Sequence, residues 1–137
     1  MSKRFNLKIL TPERIFFSGD VEAVMVTAPD GRLTVLAEHT PLICPLAVGD
    51  TRIKEDGLWR ECVNSEGFIE VHHEGVLMFV QACEWPEEID AARAEQALRR
   101  AEERLRQQRS VSEYNQSKLA IARAMARLSA SKSTRRI

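Results

Sequence analysis

Five side chains near the C-terminus have the types and spacing to hold an anion. Asp90, Arg93 and Arg100 lie within EEIDAARAEQALRRAEERL (87–105), and Arg123 and Arg127 lie within ARAMARL (122–128). On a helix, Arg93 and Arg100 share one face two turns apart, and Arg123 and Arg127 share another. Guanidinium forks match phosphate oxygens by paired hydrogen bonds, so two such helices folded together could surround a polyphosphate. The same residues have plainer uses. Asp90 suits the N-cap of a helix, a role worth about 1 kcal/mol. Arg93 and Arg100 could pair with Glu87 or Glu103 on a solvated face, and Arg123 and Arg127 could meet another protein. Arginine-rich helices are common, so spacing alone favours the plainer uses.

The other constellations carry less. His39, His72 and His73 lack the ligand spacing of a zinc site, and no Gly-x-x-x-x-Gly-Lys-Ser/Thr loop exists to cradle a nucleotide for hydrolysis. Neither a nucleophile elbow nor an H-E-x-x-H helix occurs. Three scattered cysteines, Cys44, Cys62 and Cys83, fit reduced thiols packed in apolar surroundings better than a disulfide framework. The 20 basic and 20 acidic residues balance, which gives no nucleic-acid signal. That balance hides a split: residues 1–83 hold 8 basic against 12 acidic side chains, and residues 84–137 hold 12 against 8. Two modules with different partners are implied. The apolar stretches are too short for a signal peptide or a membrane span.

The elements that must position these residues follow from periodicity. FNLKIL, VEAVMVTA, GRLTVL, DTRIKE, LWRECVN, GFIEVHH and GVLMFVQA read as strands, separated by turn signals such as Ser18-Gly19-Asp20, Asp30-Gly31 and Asp56-Gly57. Short, regularly spaced strands indicate a sandwich or a barrel. Trp59, Phe68 and Phe79 are expected in its core. After Pro86 the grammar changes to helix. Ala94, Ala97, Leu98, Ala101 and Leu105 form one apolar stripe, and Tyr114, Ser117, Ile121, Ala124, Met125 and Leu128 form a second. Glu95/Arg99 and Glu102/Arg106 are favourable i,i+4 pairs. Ser110-Val-Ser-Glu113 matches a capping box, and the polar tail SASKSTRRI is expected to fray.

This order of motifs resembles the epsilon subunit of bacterial F-type ATP synthases. The resemblance rests on Thr11-Pro12-Glu13, Phe17-Ser18-Gly19, Gly31-Arg32-Leu33, His39-Thr40-Pro41-Leu42, GFIEV at 67–71 and the helical segment at 87–105, and it covers about Phe5 to Leu128. Glu38 stands where the family usually has Gly, as do Thr34 and Glu66.

The resemblance implies an α+β architecture: a ten-stranded β-sandwich over residues 1–84, then an antiparallel α-helical hairpin over 85–137. It implies a non-catalytic subunit that couples rotation to ion transport. The sandwich would dock on the gamma subunit and the c-ring, with Asp30-Gly31-Arg32 and Glu38-His39-Thr40-Pro41 as candidate ring contacts. The hairpin would regulate, inhibiting ATP hydrolysis when it extends toward the beta and alpha subunits of the catalytic head. Membrane association would be peripheral, on the cytoplasmic side of the cell membrane and only through the complex, with no nucleic-acid partner. In several bacterial members the folded hairpin binds ATP through Ile/Leu-Asp-x-x-Arg-Ala, which stands here as Ile89-Asp90-Ala91-Ala92-Arg93-Ala94. The implied site is Glu84, Ile89, Asp90, Arg93, Ala94, Arg100, Arg123 and Arg127, with ATP as a regulatory ligand and no catalytic cofactor or metal. The alternative is a protein-binding adaptor with no nucleotide site.

Overall fold

The computed structural model describes residues 3–107 and 111–135, with side chains described for 3–107 and 114–131. It divides into two compact units, Met1–Glu84 and Trp85–Ile137.

The first unit is a sandwich of two five-stranded sheets. Its strands are β1 (Phe5–Leu10), β2 (Ile15–Val21), β3 (Ala23–Ala28), β4 (Gly31–Leu36), β5 (Leu42–Leu46), β6 (Gly49–Glu55), β7 (Leu58–Asn64), β8 (Gly67–His72), β9 (Gly75–Val80) and β10 (Cys83–Glu84). One sheet runs β2-β1-β9-β8-β5 and the other β10-β7-β6-β3-β4. All neighbours are antiparallel except β1 and β9, where the first long strand pairs with the last and closes the sheet. Alternation fills the space between the sheets with Leu7, Ile9, Val24, Val26, Val35, Ile53, Ile69 and Met78, all fully buried. Thr51 Oγ1 donates to Asn64 Oδ1 at 2.9 Å, and Asn64 Nδ2 reaches the Ala47 and Ser65 carbonyls, so the buried amide is satisfied.

Three strands escape the sequence pattern. Ser18-Gly19-Asp20, expected to turn, lies inside β2 and pairs with Lys8, Leu7 and Asn6 of β1. The chain turns earlier, where Arg14 N donates to Thr11 Oγ1 and Thr11 N donates to Arg14 O. Pro45 sits in β5, and β10 has two residues. All three are edge strands, where one side needs no ladder partner and Gly or Pro is tolerated. At Asp56-Gly57 both residues have positive φ, 49° and 77°, the conformation a tight hairpin requires. Glu38 also has positive φ, 64°, which accounts physically for glycine being the family's usual residue there. Gly67 has no room for a side chain: a Cβ would lie 1.9 Å from the Phe79 carbonyl oxygen.

Three aromatic expectations fail. Trp59 and Phe68 are 48% and 40% exposed, Phe79 is half-buried, and all three lie on outer faces of the sheets rather than in the core. Lys54 Nζ sits 5.9 Å from the Trp59 ring centre, and Phe68 stacks on Phe79 at 4.9 Å.

The second unit begins with a 3-10 turn at Pro86–Glu88, where Trp85 N donates to Glu88 Oε1 at 3.1 Å. Helix α1 (Ala91–Arg106) and helix α2 (Val111–Arg135) pack against each other as an antiparallel hairpin. The Ser110–Glu113 capping box lies outside the described residues. Backbone helix continues through Arg135, and Ala130 and Ser131 are buried. Glu95 and Arg99 meet at 3.9 Å, whereas Glu102 and Arg106 form no ion pair among the described residues.

Candidate functional site

The hairpin seam is built from very small side chains at seven-residue spacing. Ala94 and Ala101 are buried on α1, as are Ser117 and Ala124 on α2. Such residues let two backbones approach closely, with a repeat near two helical turns. Met125, placed on the apolar stripe by periodicity, is 58% exposed. It follows Ala124 by one residue, about 100° around the helix, and so leaves the seam.

The same geometry locates the arginines. Arg93 and Arg100 each precede a seam alanine by one residue, as Arg123 does on α2. Arg127 follows Ala124 by three residues, about 60° to the same side as Arg123. An antiparallel pair has an approximate two-fold axis perpendicular to the plane of the hairpin, so equivalent offsets on both helices fall on one flank. Helix geometry therefore puts all four arginine positions on a single flank of the hairpin. Asp90, four residues before Ala94, belongs there too. Ala97 and Ala120, both half-buried, lie on that flank beside the seam. The opposite flank carries Leu98, Leu105, Ile121 and Leu128, all half-buried.

Asp90 is the N-cap of α1. Its Oδ1 accepts from Arg93 N at 3.2 Å, and its Oδ2 lies 3.8 Å from Arg93 Nε. The plainer role expected of it is thus real, and it uses one carboxylate oxygen for the backbone. The Arg93 side chain is 83% exposed. Arg100 is exposed, and Arg123 and Arg127 are half-buried. Ile89 is half-buried beside the cap, and Ala94 is packed in the seam. Glu84 ends β10 opposite Val63 and belongs to the first unit.

Sequence periodicity missed a second feature. One row of residues crosses all five strands on the outer face of the first sheet: Pro45, Phe68, Phe79, Leu10 and Ile15 are successive cross-strand partners. The Phe68–Phe79 stack occupies its centre and Ile15, 63% exposed, its end. A groove of about 600 Å³ runs along this row, bordered by Thr11–Arg14 and Gln81. The next row holds Ile43, Glu70, Leu77 and Lys8, which extends the apolar surface between two charges. A sheet apolar on both faces is the mark of an interaction surface. The signal was present in GFIEV, where Phe68 shares its face with Glu70 and not with Ile69 or Val71.

A β-sandwich followed by an antiparallel helical pair is the architecture of the delta and epsilon chains of ATP synthases. Residues 4–86 match the family described as ATP synthase, Delta/Epsilon chain, beta-sandwich domain, and residues 87–132 match its long alpha-helix domain. The chain belongs to this family, and within it to the epsilon chains. It is 49% identical to the ATP synthase epsilon chain of Caldanaerobacter subterraneus subsp. tengcongensis over 93% of this chain and 94% of the relative. It is 48% identical to that of Ruminiclostridium cellulolyticum over 92% and 94%. Epsilon chains are non-catalytic subunits. The fold recurs in a chain of the Euglena gracilis mitochondrial ATP synthase OSCP/F1/c-ring structure, with TM-score 0.77, 22% identity and coverage of 90% of this chain and 78% of that one. It recurs again in the Tetrahymena thermophila mitochondrial ATP synthase central stalk/c-ring structure, with TM-score 0.72, 12% identity and coverage of 95% and 98%.

Proposed function

We propose that this chain is the central-stalk epsilon subunit of an F-type ATP synthase and that its hairpin is an ATP-responsive regulatory element. The sandwich docks on the gamma subunit and the c-ring, and the apolar outer row through Phe68 and Phe79 supplies a surface of the required kind. Among the described residues no helix is long and apolar enough to cross a membrane. On this reading the chain associates with the cell membrane peripherally, on its cytoplasmic side and through its partners. When the helices extend toward the beta and alpha subunits, their basic side chains meet acidic surfaces there and ATP hydrolysis is inhibited.

The observation that carries the regulatory reading is the common flank of Arg93, Arg100, Arg123 and Arg127. Only the folded hairpin brings both pairs together, so a polyphosphate has a differential affinity for that form and shifts the population toward it. Asp90 keeps one oxygen near the flank. On this reading the site is regulatory and ATP is its ligand, not its substrate.

Thermal unfolding of the full chain with and without ATP tests this. At ATP one hundredfold above its dissociation constant the folded form gains about 2.7 kcal/mol. Arg123→Ala combined with Arg127→Ala removes two charge-assisted contacts, each worth about 1.5–3 kcal/mol, and abolishes the shift. An unchanged shift in the double variant refutes the site. The absence of any shift in the parent chain leaves the hairpin as a protein-binding adaptor without a nucleotide.

A further inference from the structure

We propose that Cys62 and Cys83 are a disulfide-forming pair, oxidised by a small-molecule disulfide and reopened by excess thiol, that pins the last strand of the sandwich. Both are free thiols, and both are buried on the inner side of the sheet that contains β7 and β10. Cys83 is the cross-strand partner of Asn64, so Cys62, two residues before Asn64, is its diagonal neighbour on the same face. Their side chains are close enough for Cys83 to oppose ionisation of Cys62. Cys62 Sγ also donates to the Thr51 carbonyl at 3.6 Å. The remaining thiol, Cys44, lies on β5 of the other sheet with its Sγ 3.4 Å from the Pro45 carbonyl oxygen.

The order of events follows from burial. Contact with Cys83 and desolvation push the Cys62 thiol well above its ordinary range, so Cys62 stays protonated and does not attack first. Cys83 stands on a strand of two residues at the sheet edge, held to β7 by two register pairs. Local opening of such an edge costs far less than global unfolding and admits a small oxidant. The Cys83 thiolate attacks one sulfur of the small disulfide. The oxidant's S–S bond breaks, and one small thiolate leaves carrying the proton that Cys83 gave up. While β10 is still open and water reaches Cys62, that thiol gives up its proton to water, its thiolate attacks the Cys83 sulfur of the mixed disulfide, the mixed S–S bond breaks, and the second small thiolate leaves and takes up a proton. Two protein thiols are oxidised, and one disulfide is reduced to two thiols. Diagonal neighbours have Cα atoms about 7–8 Å apart, just beyond the span of a bridge, so closure must draw β10 inward by on the order of 1 Å. A two-residue edge strand can make that movement.

The test uses the full native chain incubated with oxidised glutathione. The expected product has lost two hydrogens, keeps one free thiol and yields a Cys62–Cys83 cross-linked peptide. Its thermal midpoint rises on the order of 10 °C, because the bridge constrains the loop between the two cysteines in the unfolded chain. Reduced glutathione in excess reverses both changes. Cys44→Ser behaves like the parent, whereas Cys62→Ser and Cys83→Ser do not form the product. The proposal is overturned if all three thiols survive in native buffer, if only a stable glutathione adduct forms, or if Cys44 appears in the bridge. The parent chain alone decides between these outcomes, so a variant that fails to fold leaves the result intact.

Discussion

Replacing Ala124 by Leu tests whether the alanine seam sets the folded population of the hairpin. Ala124 is 3% exposed, and its neighbours along the seam are Ala94, Ala101 and Ser117, all as tightly buried. Leucine adds three carbon atoms where two backbones approach closely. Overpacking of this kind costs about 1–3 kcal/mol, a change of about 5- to 150-fold in the opening equilibrium. Amide hydrogen exchange reads that equilibrium directly. Once separated, α1 is a 16-residue helix and only marginally stable alone, so its amides exchange when the hairpin opens. The expected result is exchange about 5- to 150-fold faster throughout α1, with the sandwich strands unchanged. If ATP selects the folded form, its apparent dissociation constant rises in proportion to any loss of folded population, and saturating ATP restores protection. Met125→Leu, one residue away but outside the seam, leaves exchange as in the parent. Equal exchange in the parent and Ala124→Leu chains refutes the claim that small side chains hold the pair together.

Three further outcomes follow from the sandwich. Gly67→Ala forces a Cβ to within 1.9 Å of the Phe79 carbonyl oxygen, so β8 and β9 must separate; a loss of more than about 3 kcal/mol, on the order of 15 °C in thermal midpoint, is expected by calorimetry. Phe68→Ala removes one ring of an outward stack, costs about 1 kcal/mol of stability, and weakens binding to the gamma subunit about 30-fold or more if that ring anchors the docking face; titration calorimetry with gamma checks it. Burial opposes ionisation of Asp50, but the Arg32 hydrogen bond and charge, its own backbone N–H and Arg52 outweigh that and hold its carboxyl below the ordinary 3.8. Its contribution to stability is therefore present above pH about 4 and is lost as pH falls through the lower folded value. Asp50→Asn loses less than about 1 kcal/mol at pH 7, because the cluster is partly solvated, and the gap from the parent closes in acid urea titrations.

The residues show which parts of this fold were legible in the sequence. Strands buried on one face announce themselves by alternation, as in Leu7 and Ile9 or Ile69 and Val71. Edge strands do not, because Gly19 in β2 and Pro45 in β5 break the expected composition at positions where only one ladder exists. Hydrophobicity alone puts Phe68, Phe79 and Trp59 inward, but Phe79 stacks on Phe68 on the outer face, and Phe68 and Trp59 carry a signal of their own. Their parity with Glu70 and Glu61 points outward, and the paired register bears that parity out. In the hairpin, the helix types, the Asp90 cap and the Glu95–Arg99 pair were readable from spacing. Met125 was not, since a 3-4 stripe is about 100° wide and only the packed pair reveals which line of it is buried. The common flank of the arginines needed that line as its reference.

One seam thus divides two chemistries. On one flank Leu98, Leu105, Ile121 and Leu128 gain from closure by burying apolar surface, about 25 cal/mol per Å². On the other lie the four arginines beside Ala97 and Ala120. The apolar term favours the folded hairpin at any ligand concentration. Arg123 and Arg127 are four residues apart on one helix, so their like-charge cost of a few tenths of a kcal/mol is the same in the open and the folded form and does not bias closure. On the proposed reading, replacing them therefore leaves the apolar term in place and removes the response to ATP. A protein-binding adaptor shows no response to ATP in either chain. Exchange rates of the parent and the Arg123→Ala, Arg127→Ala chains, measured without ATP and then with it, separate the two.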